Sequence, residues 1–387
     1  MAADNGDSQL EELQKRLGFT HSANNVFLDR NLLLGMVSIF SYDWPHCYLQ
    51  GGVFNVEAAA LLALLLPHSL GAPTLHVYLQ KWRWPQAYAG ASQICKNGVL
   101  NGSISECLSV TPVFAKYITD VVLRKGVHVE ACRCMLLLID VLALLQRCQW
   151  DHCRPTPLQL ESGILTHLRK QQAVYGYSCW IPKSHFSVHL PASLEKLGFL
   201  LSSTVLERKH KNVKRALLDR CTLTSYERTV MESLTVQHIF DLAEPLCNSD
   251  LKEPTVPSGK TLALLRDAFG EDVATDGDVF VAAECTVHSR AVHVGDAACY
   301  AREAGGGTFS VGQVEFICKI RGSVYICMQH WFFLDRPTNA LVRYRLGDAL
   351  LMVDGPCVRE SLIFSAATLG EVSQVLVPPH LRHADFS

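Results

Sequence analysis

Apolar positions along the first two thirds of the chain recur at three- and four-residue intervals, and after Asp276 the spacing changes to short β-prone runs. Val56 to Leu66 is dense in Ala and Leu, which predicts a buried helix ending before Pro67. Residues 75–175 read as mainly helical, punctuated by Pro85, Pro112, Pro155 and Pro157. A second helical block spans roughly 190–250 and stops near Pro245, and residues 249–260 have linker composition. Val37 to Tyr42 reads as a short strand that would deliver Asp43 at its C-terminal end. In the tail, Val279–Val287, Ala291–Tyr300, Gly312–Ile320, Val324–Phe333, Ala340–Leu346 and Ser361–Phe364 alternate with Gly, Asp and Pro. That spacing predicts a small antiparallel barrel or sandwich. The expected class is therefore α+β. A polar N-terminal segment (1–25) with a short helix around Leu10–Leu17 precedes a core (26–248) with a helical insertion at about 75–175. A linker with a short helix (249–275) and a β-rich domain (276–380) follow.

Composition narrows the function classes. With 387 residues, 49% hydrophobic and 19% charged, the chain can bury more than one core and is not a disordered polymer. A net charge of −2 hides an asymmetry, because residues 271–387 carry 9 basic against 14 acidic side chains while the remainder is weakly basic. A polyanion-binding surface is thus expected in the first two thirds. The 15 cysteines form no repeating framework and Met1–Gln14 lacks a leader pattern, which predicts reduced thiols in an intracellular protein that is not secreted. The longest apolar runs, Ala58–Leu66 and Met135–Leu145, are too short to span a bilayer, so a soluble protein without a membrane partner is expected.

Two segments carry the candidate chemistry. Leu206, His210, Val213 and Leu217 form one helical seam, and Arg208, Lys209, Lys211, Lys214 and Arg215 surround Glu207. Helical spacing puts Lys211 one turn and Lys214 two turns beyond Glu207 on a shared face, as a metal-holding carboxylate beside phosphate-gripping lysines would require. Taken alone, Glu207 with Lys211 reads first as an ordinary surface pair on a solvated helix. The other segment is Tyr42-Asp43-Trp44-Pro45-His46-Cys47-Tyr48-Leu49, running on through Gly52-Val53-Phe54-Asn55-Val56-Glu57. Asp43 could ligate a divalent cation with His46 orienting a ligand or phosphate; taken alone it is a turn aspartate before Trp-Pro.

The two segments are more informative as a pair. Asp43 opens the string Asp-Trp-x-His-x-x-Leu-x-Gly-Val-x-Asn-x-Glu, and Glu207 closes Pro182-Lys-x-His185-x-x-x-His189-Leu…Gly198…Leu-Glu-Arg-Lys-His-x-x-x-Lys-Arg. In that order they resemble the later part of DDE transposases of the broad CACTA-like and fungal/protist superfamily. The resemblance implies an RNase H-like core. It makes Asp43 and Glu207 two members of a catalytic, metal-holding triad for Mg²⁺ or Mn²⁺. Arg208, Lys209, Lys211, Lys214 and Arg215 become DNA contacts, with His46, Glu57, His185, His189 and His210 as supporting residues. The separation from Asp43 to Glu207 exceeds a plain RNase H-like core, so the 75–175 region would be a helical insertion. The β-rich tail, with Val311-Gly-Gln-Val-Glu-Phe-Ile and Val324-Tyr-Ile-Cys-Met-Gln-His-Trp331, resembles the module that often follows.

Three departures shape the functional expectation. The family's first catalytic aspartate should lie on a strand well before Asp43, and neither Asp4 nor Asp29 has a β-rich context. Pro45 replaces the usual methionine and would restrict Trp44 to extended conformations. No N-terminal DNA-binding module is recognisable. In-line strand transfer with two metal ions needs several carboxylates, so the resemblance implies an incomplete copy. The leading expectation is a transposase-derived, nuclear, DNA-binding protein without strand-transfer activity, acting alone, as a homo-oligomer or with a transposase partner. The alternatives are a live metal-dependent nuclease completed by Glu57 or by another chain, and a protein-interaction module using the acidic β-rich tail. Cys132, Cys134, Cys148, His152 and Cys153 crowd one segment but lack the paired spacing of a zinc motif and read as core thiols. Lys81-Trp82-Arg83-Trp84 reads as packing rather than as a nucleic-acid surface.

Overall fold

A computed structural model describes residues 41–95, 100–202, 250–270, 279–287, 290–301, 308–366, 372–382 and 384–386, with a few positions between 228 and 236. They divide into two compact units, one drawn from within Met1–Leu79 and Gln93–Val205, the other from within Gln80–Ser92 and Leu206–Ser387. The class is α+β, with helices in the first unit and an antiparallel β-sheet domain in the second.

The first unit is built from α1 (Trp44–Tyr48), α2 (Val53–Leu65), α3 (Ala72–Leu79), α4 (Ile104–Tyr117), α5 (Val129–Arg147), α6 (Pro157–Tyr175), α7 (Pro182–Ser187) and α8 (Leu190–Leu197). Its described residues contain no strand. Start signals are local. Ser103 and Glu106 form a reciprocal capping box on α4, and Thr156 with Gln159 does the same on α6, where Pro157 fills the first turn. Gly198 closes α8 in the left-handed region at φ 74°. The central element is α5, buried from Ala131 to Leu145 on most of its circumference and packed on α2, α4 and α6. Cys132, Cys134, Cys148 and Cys153 are all buried, as core thiols are.

Two expectations are corrected here. Pro112 does not end its helix but sits inside α4. It lacks the N–H that would bond the Leu108 carbonyl, and the Thr111 hydroxyl donates to that carbonyl instead, at 2.8 Å. The stretch Trp44–His68 is long and apolar enough to cross a bilayer, yet half of its apolar window is buried inside the unit and the chain turns between α1 and α2. Its apolarity is that of a core.

The second unit holds α9 (Gly259–Phe269) and strands β1 (Asp250–Lys252), β2 (Val279–Ala282), β3 (Glu284–Val287), β4 (Arg290–His293), β5 (Ala297–Ala301), β6 (Thr308–Ile320), β7 (Ser323–Thr338), β8 (Leu341–Asp354), β9 (Val358–Ala366), β10 (Val372–Leu376) and β11 (Asp385–Phe386). Antiparallel ladders run β5–β6, β6–β7, β7–β8, β8–β10, β10–β9 and β9–β5, so the hydrogen bonding closes on itself as a six-stranded ring. Irregularities at Cys299/Tyr300, Val314/Phe316 and three places along β7 supply the bends that closure demands. Gly312 and Gly347 mark tight approaches, where a Cβ would lie 2.8 Å from the Gln329 carbonyl oxygen and 2.4 Å from that of His330.

One apolar cluster, including Cys299, Val311, Trp331, Tyr344 and Leu362, lies on one face of these strands. A second, including Val314, Ile326, Met328 and Val358, lies on the other and joins the small sheet β1–β3–β4. Every residue of β5 is buried, as alternation between two covered faces requires. The 249–260 segment is not a bare linker, since β1 pairs with β3 and Ser258 caps α9. Trp82 is buried and Arg83 bridges Phe364 through the backbone, which agrees with the packing role expected of the Trp pair.

Candidate functional site

Of the run expected as a strand, Val37 to Tyr42, residues 37–40 lie outside the described residues; Ser41 and Tyr42 are irregular, and Asp43 occupies the N-cap position of α1 at φ −81°, ψ 107°. Its carboxylate does not cap the helix; Oδ2 bonds His46 Nδ1, one helical turn on. Trp44 is the first residue of the helix, not an extended one, because Pro45 falls in the first turn, where its missing N–H costs nothing. The Trp44 N–H instead donates to the Leu201 carbonyl at 3.3 Å. A carboxylate only accepts, so Nδ1 is the donor in this bond, and Asp43 orients the imidazole.

α7 packs against α1, so the Asp43 string meets the described, Pro182–Gly198 part of the second string. The Tyr42 ring stacks on Phe186 at 5.1 Å and on His189 at 5.2 Å, and His189 Nε2 lies 3.3 Å from His185 Nε2. Lys183 Nζ donates to the Gln50 carbonyl at 2.6 Å, tying α7 to the turn that follows α1. Cys47 lies buried beneath; burial, then the Asp43 charge, pushes its thiol up to about 12, with Lys183 opposing. Burial and then His185 hold the His189 imidazole below its ordinary range. The glycine of the first string has a steric role: a Cβ on Gly52 would sit 2.4 Å from the Tyr48 carbonyl carbon, so only glycine lets α2 start this close to α1.

Glu57 has different surroundings. It is fully buried on α2, and its Oε2 accepts from His167 Nε2 at 2.7 Å and from Gln171 Nε2 at 2.8 Å, both side chains coming from α6. Cys134 of α5 completes a group whose potential ligand atoms all lie within 4.8 Å of one another. Burial first, and then Glu57, push the Cys134 thiol well above its ordinary range. Asp43 belongs to no such group of three or more among the described residues. Glu207, Arg208, Lys209, His210, Lys211, Lys214 and Arg215 lie outside the described residues. A Mg²⁺ or Mn²⁺ site therefore has Asp43 as its one described carboxylate, which is too little to build a step on.

Sequence reading missed Tyr42 as a stacking platform, and His167, Gln171 and Cys134 as partners of Glu57. A signal for α6 existed: His167 and Gln171 fall on the seam marked by Leu160, Ile164 and Leu168, where an apolar side chain is expected. Compared with known proteins, the chain matches no protein-family model and no curated protein sequence.

Proposed function

We propose that the chain is a transposase-derived DNA-binding protein, working in the nucleus and without strand-transfer activity of its own. The observation that carries this reading is the meeting of two strings far apart in the sequence, with Tyr42 stacked on Phe186 and His189 beside the Asp43–His46 pair. The RNase H-like assignment rests on these motifs and not on a sheet, because the described part of this unit is helical. The absence of strand transfer rests on the carboxylates: Asp43 is engaged by His46, and Glu57 is sealed in the core with His167 and Gln171. Two-metal phosphoryl transfer needs carboxylates that reach the attacking and leaving oxygens.

Fluorescence anisotropy on a labelled duplex tests DNA binding. Changing Lys209, Lys211, Lys214 and Arg215 to Gln should weaken affinity equally across DNA sequences. It should also flatten the salt dependence by about 0.9 for each phosphate no longer neutralised. Unchanged affinity and slope refute the assignment. Nicking of supercoiled DNA with Mg²⁺ or Mn²⁺, abolished by both Asp43→Asn and Glu207→Gln, would replace it with a live nuclease.

A further inference from the structure

We propose that Glu57, Cys134 and His167 form a structural zinc site that pins α2, α5 and α6 together. This inference is independent of the DNA-binding reading. The donor atoms come from three helices remote in sequence and lie within 4.8 Å of one another. Each side chain is fully buried, at 0% exposure. A thiolate, an imidazole nitrogen and a carboxylate oxygen form a mixed S/N/O set suited to zinc; magnesium and calcium take oxygen ligands.

Charge balance points the same way. One dication, one thiolate, one carboxylate and neutral donors sum to zero, as a site without solvent requires. A hydrogen-bonded cluster alone leaves the polar groups incompletely matched. Both bonds from α6 fall on Glu57 Oε2, while Glu57 Oε1 and Gln171 Oε1 have no hydrogen-bond partner. Unpaired buried acceptors are rare and costly, and a cation satisfies acceptor oxygens that no donor reaches. Gln171 Oε1, unpaired and neutral, is the candidate fourth ligand. Zinc bonds of about 2.0–2.3 Å set tetrahedral donors roughly 3.3–3.7 Å apart. The 2.7 Å pair between His167 and Glu57 therefore opens by about 0.6–0.8 Å to admit the ion. With every donor fully buried the site keeps no open position for a substrate, so the role is structural.

Metal content of the desalted full-length chain, expressed with added Zn²⁺, tests the proposal. The expected result is about one zinc per chain, lost in Cys134→Ser and retained in the control Cys95→Ser. Cobalt substitution should give a thiolate-to-cobalt charge-transfer band that Cys134→Ser abolishes. A wild-type chain without stoichiometric zinc, or full zinc retention by a folded Cys134→Ser, overturns the site. Should the variant not fold, X-ray absorption at the zinc edge of the wild-type chain decides. One sulfur among nitrogen and oxygen ligands supports the site, and an all-sulfur or sulfur-free shell refutes it.

Discussion

Removing the Glu57 carboxylate should unfold the helical unit more readily than any change at the Asp43 pair, and the size of the effect follows from the hydrogen bonds. Glu57→Ala leaves the His167 and Gln171 donors, bonded to it at 2.7 and 2.8 Å, without an acceptor in a region where neither side chain is more than 1% exposed. Each stranded donor costs about 1–3 kcal/mol, and the lost side-chain volume adds a cavity term. A total of roughly 3–6 kcal/mol is expected, against a whole-domain stability of about 5–15 kcal/mol. Glu57→Gln keeps an acceptor in place and should cost about 1 kcal/mol. Replacing Glu57, His167 and Gln171 together with Leu removes the carboxylate and both of its donors at once and should be far milder than Glu57→Ala, because the penalty comes from the unpaired partner and not from the absence of the pair.

Urea unfolding followed by helical circular dichroism measures all three, with chelator present throughout so that metal does not contribute. Most described helix lies in the first unit, so this signal reports it even if the chain as a whole is not two-state. A Glu57→Ala loss below about 1 kcal/mol, or a triple-Leu variant weaker than Glu57→Ala, would refute the reasoning.

Gly52→Ala should drive α2 away from α1, since its Cβ would meet the Tyr48 and Cys47 backbone at 2.4–2.6 Å; loss of protease resistance near residues 44–60 checks this, and an unchanged digestion pattern contradicts it. Thr111→Val should cost about 1 kcal/mol by stranding the half-buried Leu108 carbonyl, and adding Pro112→Ala should restore most of it by supplying the missing N–H, both read from thermal melts. In the β unit, burial raises the Glu360 carboxyl, but the His380 bond and Arg290 outweigh it and the net shift is downward. The unfolded state therefore takes up this proton first, so the stabilisation is complete above the ordinary carboxylate value of about 4.3 and is lost as pH falls through the lowered folded value. Glu360→Gln should be less stable than wild type at pH 7, and the gap should narrow on acidification; a constant gap in melts across that range contradicts the assignment.

Much of the fold was legible because its signals are local. The 75–175 helices announce themselves through apolar seams and through Ser103 and Thr156 caps. The β-rich tail is announced by alternating runs between turn residues. What failed was also local in origin. Pro112 reads as a stop, and only the neighbouring Thr111 hydroxyl, bonding the freed carbonyl, lets the helix continue. Asp43 after a β-prone run reads as a strand end, yet the Trp-Pro that follows starts a helix. Val279–Val287 and Ala291–Tyr300 each divide into two strands, the latter near Gly295 at φ 90°, and β1 and β10 are too short to stand out. At the site, the Asp43 and His185–His189 strings were each recognisable, but their stacking through Tyr42 is a tertiary fact. The Glu57 cluster was out of reach for the same reason, since Glu57 and His167 are 110 positions apart and neither flanking sequence refers to the other.

The two polar sites of the helical unit differ in solvation, and that difference bears on function. The Asp43 and His46 side chains are 22% and 31% exposed, within reach of a polyanion in water. Glu57, His167 and Cys134 have no exposure at all. A phosphodiester carries its charge and its solvent shell with it, so a carboxylate acting on it must be accessible when the substrate arrives. Glu57 can meet that requirement only if α2, α5 and α6 separate, which forfeits the burial that holds the unit together. A nuclease completed by Glu57 is therefore the reading the geometry favours least. Glu207 and a carboxylate from another chain are then the remaining routes to catalysis, and the nicking assay with Glu207→Gln bears on the first of them. The Asp43–His46 pair needs no such rearrangement to be reached from solvent.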